Sequence, residues 1–278
     1  MAGKSYCYFN GKIITSSKIK ISPYDLGILR GYGVFDVMRT QSGKLFLSED
    51  HWKRLKNSAK ELNLKIQISK EEFQEIITKL LKLNRFKESI IRTVLTGGMS
   101  KNGFDFENKE TFYILIEKFK PLPRECFSQG VNVITLEYLR DVPEAKITNY
   151  IAAIKNQKKK NKKKALEIIY TNKGKALEMS TSNFFIVKKG QLITPQKNIL
   201  FGITRKLVIK LAKENGFDIQ EREIKTGELF SADEVFLTAT NKDIVPVVKI
   251  DNKKVGNGKV GKATKELMKI FQEFAKNY

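Results

Sequence analysis

The chain has 278 residues, of which 41% are apolar and 29% charged, enough for one large domain or two smaller ones with a sizeable core. That balance reads as globular rather than disordered, and no run of about 18 apolar residues offers a membrane span. With 52 basic against 30 acidic residues the net charge is +22, yet the lysines are spread along the chain without a zinc-finger, RRM or KH pattern, so neither nucleic acid nor a membrane is the expected partner.

The opening stretch, MAGKSYCYFNGKII, lacks an apolar core of signal-peptide length, which gives a cytoplasmic expectation. Its SYCYF and KIIT segments flank Asn10-Gly11 and predict a hairpin with a tight turn. Ser48 is the expected cap of a helix with Trp52, Leu55, Ala59 and Leu62 at helical spacing. Ser69 and Glu72 make a capping-box pattern ahead of FQEIITKLLKL. Two apolar runs of strand length follow, SIIRTVLTG and TFYILIEK. The proline-bearing FKPLPRE at 119–125 breaks the pattern and is the expected linker between domains at 1–118 and 126–278.

Strands dominate beyond the linker: VNVITLEY, ALEIIYT, NFFIV, QLITP and DEVFLTAT. The lysine run at 155–164, KNQKKKNKKK, has no interleaved aromatics and reads as a solvated helix end or loop. Helices are expected near 204–215, stopped by Gly216, and near 262–275. Strands and helices mixed in both halves give an α+β protein of two domains.

A single histidine, His51, and two cysteines, Cys7 and Cys126, argue against a zinc cluster, a disulfide framework and a Ser-His-Asp triad. Without these, and without a phosphate-binding glycine loop of the GxxxxGK type, catalysis needs a borrowed reagent. The segments that look most specified are RGYGVFD (30–36), HWKRL (51–55), AKITNY (145–150), LEMSTSNFFIV (177–187), ILFGITR (199–205) and ADEVFLTAT (232–240). They supply a lysine, a carboxylate, and turns whose backbone N–H groups can meet a phosphate.

In that order and spacing the six segments closely resemble the class IV aminotransferases, the fold-type IV pyridoxal 5'-phosphate (PLP) enzymes. That family holds branched-chain and D-amino-acid aminotransferases and aminodeoxychorismate lyases. The resemblance implies a small α/β N-terminal domain, a larger β-rich C-terminal domain with PLP between them, and a homodimer. Lys146 matches the lysine that carries the cofactor and moves the substrate proton. Glu178 matches the acid facing the pyridine nitrogen, and Tyr150 the tyrosine at the phenolic oxygen. Arg54 matches the phosphate-binding arginine, joined by the backbone N–H groups of Ile203 and Thr204 and the hydroxyl of Thr240. Leu200 matches the apolar residue packed on the ring. His51 is read as structural.

Two departures concern the substrate. The family often has a glutamate beside the aromatic that lines the substrate site, whereas here Phe35 precedes the shorter Asp36. The T-R-G arginine of the D-amino-acid enzymes is replaced in Thr96-Gly97-Gly98. Arg92 matches an arginine of the branched-chain enzymes, and with Arg30 it could form a substrate-carboxylate clamp by another route. On that ground D-amino acids are favoured, with 2-oxoglutarate or pyruvate as the keto acid and a ping-pong exchange. The alternative is a branched-chain L-amino-acid enzyme whose substrate carboxylate meets the N–H groups of Asn241 and Lys242. A lyase of the aminodeoxychorismate type is a more distant alternative.

Overall fold

The structure, a computed structural model, describes residues 5–278. Residues 1–4, the start of the stretch read for a leader, lie outside it. The chain forms two compact units, residues 1–120 with 145–149, and residues 121–144 with 150–278.

The first unit runs β1 (Tyr6–Phe9), β2 (Lys12–Thr15), α1 (Leu26–Leu29), β3 (Gly33–Gln41), β4 (Lys44–Leu45), α2 (Ser48–Glu61), α3 (Lys70–Asn84), β5 (Ser89–Thr96) and β6 (Thr111–Lys118). Its sheet has the order β2-β1-β6-β5-β3-β4. The hairpin at Asn10-Gly11 forms as expected, both residues at positive φ, the backbone of a type I′ turn. Ser69 and Glu72 make the reciprocal capping box of α3. Ser48 does not cap α2. It is the first helical residue, and Leu47, in the left-handed region, precedes it without a side-chain cap. One sheet face carries the buried Val34, Met38, Ile91, Leu95 and Ile114. The opposite face, with Phe35, Val37, Arg92 and Leu115, is half-buried.

The second unit runs α4 (Glu125–Ser128), β7 (Val131–Glu137), α5 (Ile151–Lys155), α6 (Gln157–Lys162), β8 (Ala165–Asn172), β9 (Lys175–Met179), β10 (Asn183–Lys188), β11 (Gln191–Thr194), α7 (Ile203–Glu214), β12 (Ile219–Glu221), β13 (Ile224–Lys225), α8 (Thr226–Phe230), β14 (Glu234–Ala239), β15 (Asp243–Ile250), β16 (Lys253–Lys254) and α9 (Lys262–Asn277). Nine of its strands lie in the order β12-β11-β10-β14-β15-β7-β8-β9-β13, with β16 paired to β15. The strip curls, so that Met179 at the end of β9 donates its N–H to Ser182 just before β10. Phe184, Leu237, Val245 and Ile169 pack in the core that this produces.

Two features differ from the sequence reading. β15 escaped it because Pro246 sits inside the strand; the register shift at Val247–Lys249 shows the bulge that accommodates it. The C-terminal domain expected over 126–278 is also interrupted. Residues 145–149 belong to the first unit, because they pair with β3 rather than with a strand of the second sheet. The lysine run forms α6 and the end of α5, largely exposed.

Candidate active site

In the first unit the specified side chains gather at the start of β3. Phe35 donates its N–H to the Lys146 carbonyl at 2.9 Å, Thr148 donates its own to Gly33 at 2.9 Å, and Val34 lies opposite Ile147. These bonds fix Lys146 along β3. Its backbone N–H donates to Ser58 Oγ at 3.0 Å, and Ser58 is buried on α2. Its Nζ lies 4.6 Å from the centroid of the Phe35 ring, whose electron-rich face suits an ammonium group.

Arg54 lies one helical turn before Ser58, on the same face of α2. Its Nε and Nη2 donate to Asp36 Oδ2 and Oδ1 at 2.7 and 3.0 Å, the fork geometry that a carboxylate accepts best. His51 Nδ1 donates to Asp36 Oδ1 at 2.6 Å. The shorter acid therefore reaches both partners, because β3 packs directly against α2. Burial would push the Asp36 carboxyl up, but Arg54 and His51 hold it well below the usual carboxylate range. Burial also lowers the His51 pKa, outweighing the pull of Asp36, so the ring is neutral. His51 thus has the structural place expected of it. Arg54 Nη1 makes no hydrogen bond among the described residues and is the donor left for an anion.

In the second unit Glu178 is the penultimate residue of β9 and is buried. Its Oε1 accepts from Arg140 Nε at 2.7 Å and its Oε2 from the Leu200 N–H at 3.0 Å. Both carboxylate oxygens are thus held in place, one by a guanidinium and one by a backbone N–H. The Leu200 carbonyl accepts from Asn183 Nδ2 at 2.8 Å. A Cβ on Gly202 would fall 2.0 Å from Asn183 Oδ1, so this loop closes onto Asn183 only with glycine there. Gly202 opens α7 without a side-chain cap, and Ile203 and Thr204 form its buried first turn. Uncapped N–H groups and the positive end of the helix dipole could meet an anion here. Tyr150 stands at the N-cap of α5 and is half-buried.

Thr240, Asn241 and Lys242 form the turn between β14 and β15. Lys242 donates its N–H to Ala239 at 3.1 Å, and Asp243 follows at positive φ, a tight three-residue hairpin. The Lys242 N–H expected at a substrate carboxylate is thus engaged in closing the turn. Asn241 is exposed.

Arg30 and Arg92 are not brought together. Arg92 is level with Val37, about 13 Å along β3 from Gly33 at roughly 3.3 Å per residue, and Arg30 precedes Gly33. The Arg92 Nε and Nη2 donate to Glu117 at 3.2 and 3.1 Å. Arg30 is exposed at the C-cap of α1, with Nη1 donating to the Leu29 carbonyl. The sequence reading missed Arg140, Ser58 and Asn183. Arg140 and Ser58 lie 38 and 88 residues from the groups they hold, and no local pattern marks them.

The chain matches the family model described as amino-transferase class IV over residues 33–250. It is 36% identical over 276 residues to a putative branched-chain-amino-acid aminotransferase of Methanocaldococcus jannaschii, covering 96% of this chain and 95% of the relative. It is 29% identical over 276 residues to a D-alanine aminotransferase of Staphylococcus aureus, covering 98% of each. The crystal structure of an Escherichia coli branched-chain amino acid aminotransferase superposes with a TM-score of 0.92 at 27% identity, covering 99% of this chain and 95% of that one.

Proposed function

This chain belongs to the class IV aminotransferases, and on that premise we propose that it moves an amino group between a branched-chain L-amino acid and 2-oxoglutarate by a ping-pong exchange. Enzymes of this class use PLP. Bound PLP supplies an aldehyde that takes up the amine and a ring that draws electrons from the substrate α-carbon. The donor set fits such a group. The Glu178 carboxylate suits a protonated ring nitrogen, and the uncapped start of α7 suits a phosphate.

Lys146 Nζ anchors the cofactor and takes and returns the proton of the substrate α-carbon. Glu178, held by Arg140 and the Leu200 N–H, keeps the ring nitrogen protonated. Arg54, Thr240 and the N–H groups of Ile203 and Thr204 would hold the cofactor phosphate. Tyr150 would meet the phenolic oxygen of the bound cofactor, Leu200 would pack on its ring, and Phe35 would line the substrate side.

One observation carries the substrate preference: Arg92 is closed on Glu117 and Arg30 lies apart at the end of α1. The first unit by itself then offers no paired arginines to the substrate carboxylate, which we assign to the Thr240–Asn241 turn. The identity to Staphylococcus D-alanine aminotransferases keeps D-amino acids as a second reading. Half-reactions of the PLP-loaded protein with L-leucine, L-glutamate and D-alanine, followed by the cofactor's absorbance, separate the two. L-Leucine and L-glutamate should react fastest; faster reaction of D-alanine, lost in Arg30→Ala or Arg92→Ala, would establish the second reading instead.

A cytoplasmic homodimer completes the proposal. Tyr24, Ile28, Leu29, Met99 and Phe104 are exposed on the first unit, and backbone bonds between the α1 segment and the loop after β5 hold them side by side. An apolar patch of this kind is characteristic of an interface.

A further inference from the structure

Glu167 on β8 is 2% exposed and takes no part in the site just described. Four donors converge on its carboxylate. Ser180 Oγ and Thr181 Oγ1 donate to it in short bonds, Ser182 Oγ donates at 3.0 Å, and Lys242 Nζ reaches Oε1 at 2.7 Å. Lys242 Nζ also donates to Thr181 Oγ1 at 2.7 Å. The charge pair is well satisfied: burial pushes the Glu167 pKa up, and Lys242 with the hydroxyls brings it down to about 2.

Three segments meet at this cluster. Ser180–Ser182 follows Glu178 after one intervening residue, Met179, and Lys242 directly follows Thr240 and Asn241. Asn183 pairs with Thr238, so the two turns emerge side by side at one end of β10 and β14. The hairpin turn at Thr240–Lys242 does not need the tether in order to form. Its own N–H bond to Ala239 and the left-handed Asp243 already close it. Buried ion pairs also contribute little net stability once their desolvation is counted, and in some proteins they select one geometry.

We propose that the Glu167–Lys242 pair is a positioning device, which locks the turn carrying Thr240 and Asn241 against the turn that follows Glu178. The inference rests on the assignment of Thr240 to the cofactor phosphate. With the tether in place, the Thr240 hydroxyl and the Asn241 N–H are aimed before any ligand arrives. Without it, the hairpin persists and its tip samples other orientations, so that donors must be ordered on binding.

The test uses the full-length apoprotein and three variants. In Glu167→Gln/Lys242→Met both charges leave together, so no unpaired charge is buried; Lys242→Arg keeps charge and reach; Thr240→Val removes the proposed phosphate donor alone. Melting temperature, PLP dissociation constant by fluorescence quenching, and KM and kcat for the amino donor are measured for each. Expected is a double variant that melts near wild type but binds PLP about ten-fold more weakly, the scale of one well-made hydrogen bond. Its KM should rise by more than its kcat falls, and Lys242→Arg should restore both constants. Wild-type PLP affinity and KM in the double variant, while Thr240→Val weakens PLP binding, would overturn the positioning role and leave the phosphate site standing. Unchanged PLP affinity in Thr240→Val would overturn both.

Discussion

Asp36→Asn removes one negative charge and leaves every other atom of the β3–α2 contact in place. In the structure that charge is met by two bonds from Arg54 and one from His51, and the Asp36 side chain is 5% exposed and that of Arg54 12%. Breaking a buried ion pair from one side costs about 3–5 kcal/mol. The lower figure applies here, because Arg54 keeps some solvent access and asparagine still offers one acceptor oxygen. About 3 kcal/mol in a chain of this size lowers the melting temperature by roughly 6–12 °C. The carboxyl is depressed in the folded state, so its contribution is complete above the ordinary value of 3.8 and is lost as pH falls toward the folded value. Circular-dichroism melts of the apoprotein at pH 7, where the difference is full, read it directly. A second effect should accompany the first: Arg54 loses the partner that orients its Nη1, so PLP binding weakens even at temperatures where the variant is fully folded. A variant that melts within about 2 °C of wild type would show that the pair is not a desolvated one, and the reasoning from burial would fail.

Lys146→Ala should bind PLP only noncovalently; borohydride reduction followed by peptide mass spectrometry will find the cofactor mass on the 146 peptide of the wild type and on no peptide of the variant. His51 is the single histidine, and burial depresses its folded pKa below 6.5, so the unfolded chain binds the extra proton. Stability should therefore rise with pH up to that value and fall below it, by at most about 1.4 kcal/mol per pH unit for one proton, and urea titrations between pH 5 and 7 should show this slope vanish in His51→Gln. Phe104 is 76% exposed within the apolar patch of the first unit. Phe104→Asp should shift the sedimentation coefficient from dimer to monomer at micromolar concentration, and a wild type that is already monomeric there would refute the homodimer.

Local sequence was sufficient wherever the physics was local. The Asn10-Gly11 turn, the Ser69/Glu72 box and the apolar periodicities of α2, α3, α7 and α9 depend on residues a few positions apart, and each appears where it was read. The six ordered segments were likewise legible, because a lysine, an acid and uncapped helix N–H groups are chemically unusual in combination. What the sequence could not reveal is how those groups are held. Arg140 meets Glu178 across 38 residues, Ser58 meets Lys146 across 88, and Lys242 meets Glu167 across 75, with nothing nearby in the chain to mark the pairing. Residues 145–149 read as part of the C-terminal domain expected over 126–278, yet their backbone groups pair with β3. Arg30 and Arg92 stand apart in the first unit for a related reason. Strand register sets them roughly four residues and a loop apart, and places Glu117 within reach of Arg92 instead. Composition and spacing determine which chemistry the chain can hold. Register, sheet curl and the burial of charge, all tertiary quantities, decide which donors face one another.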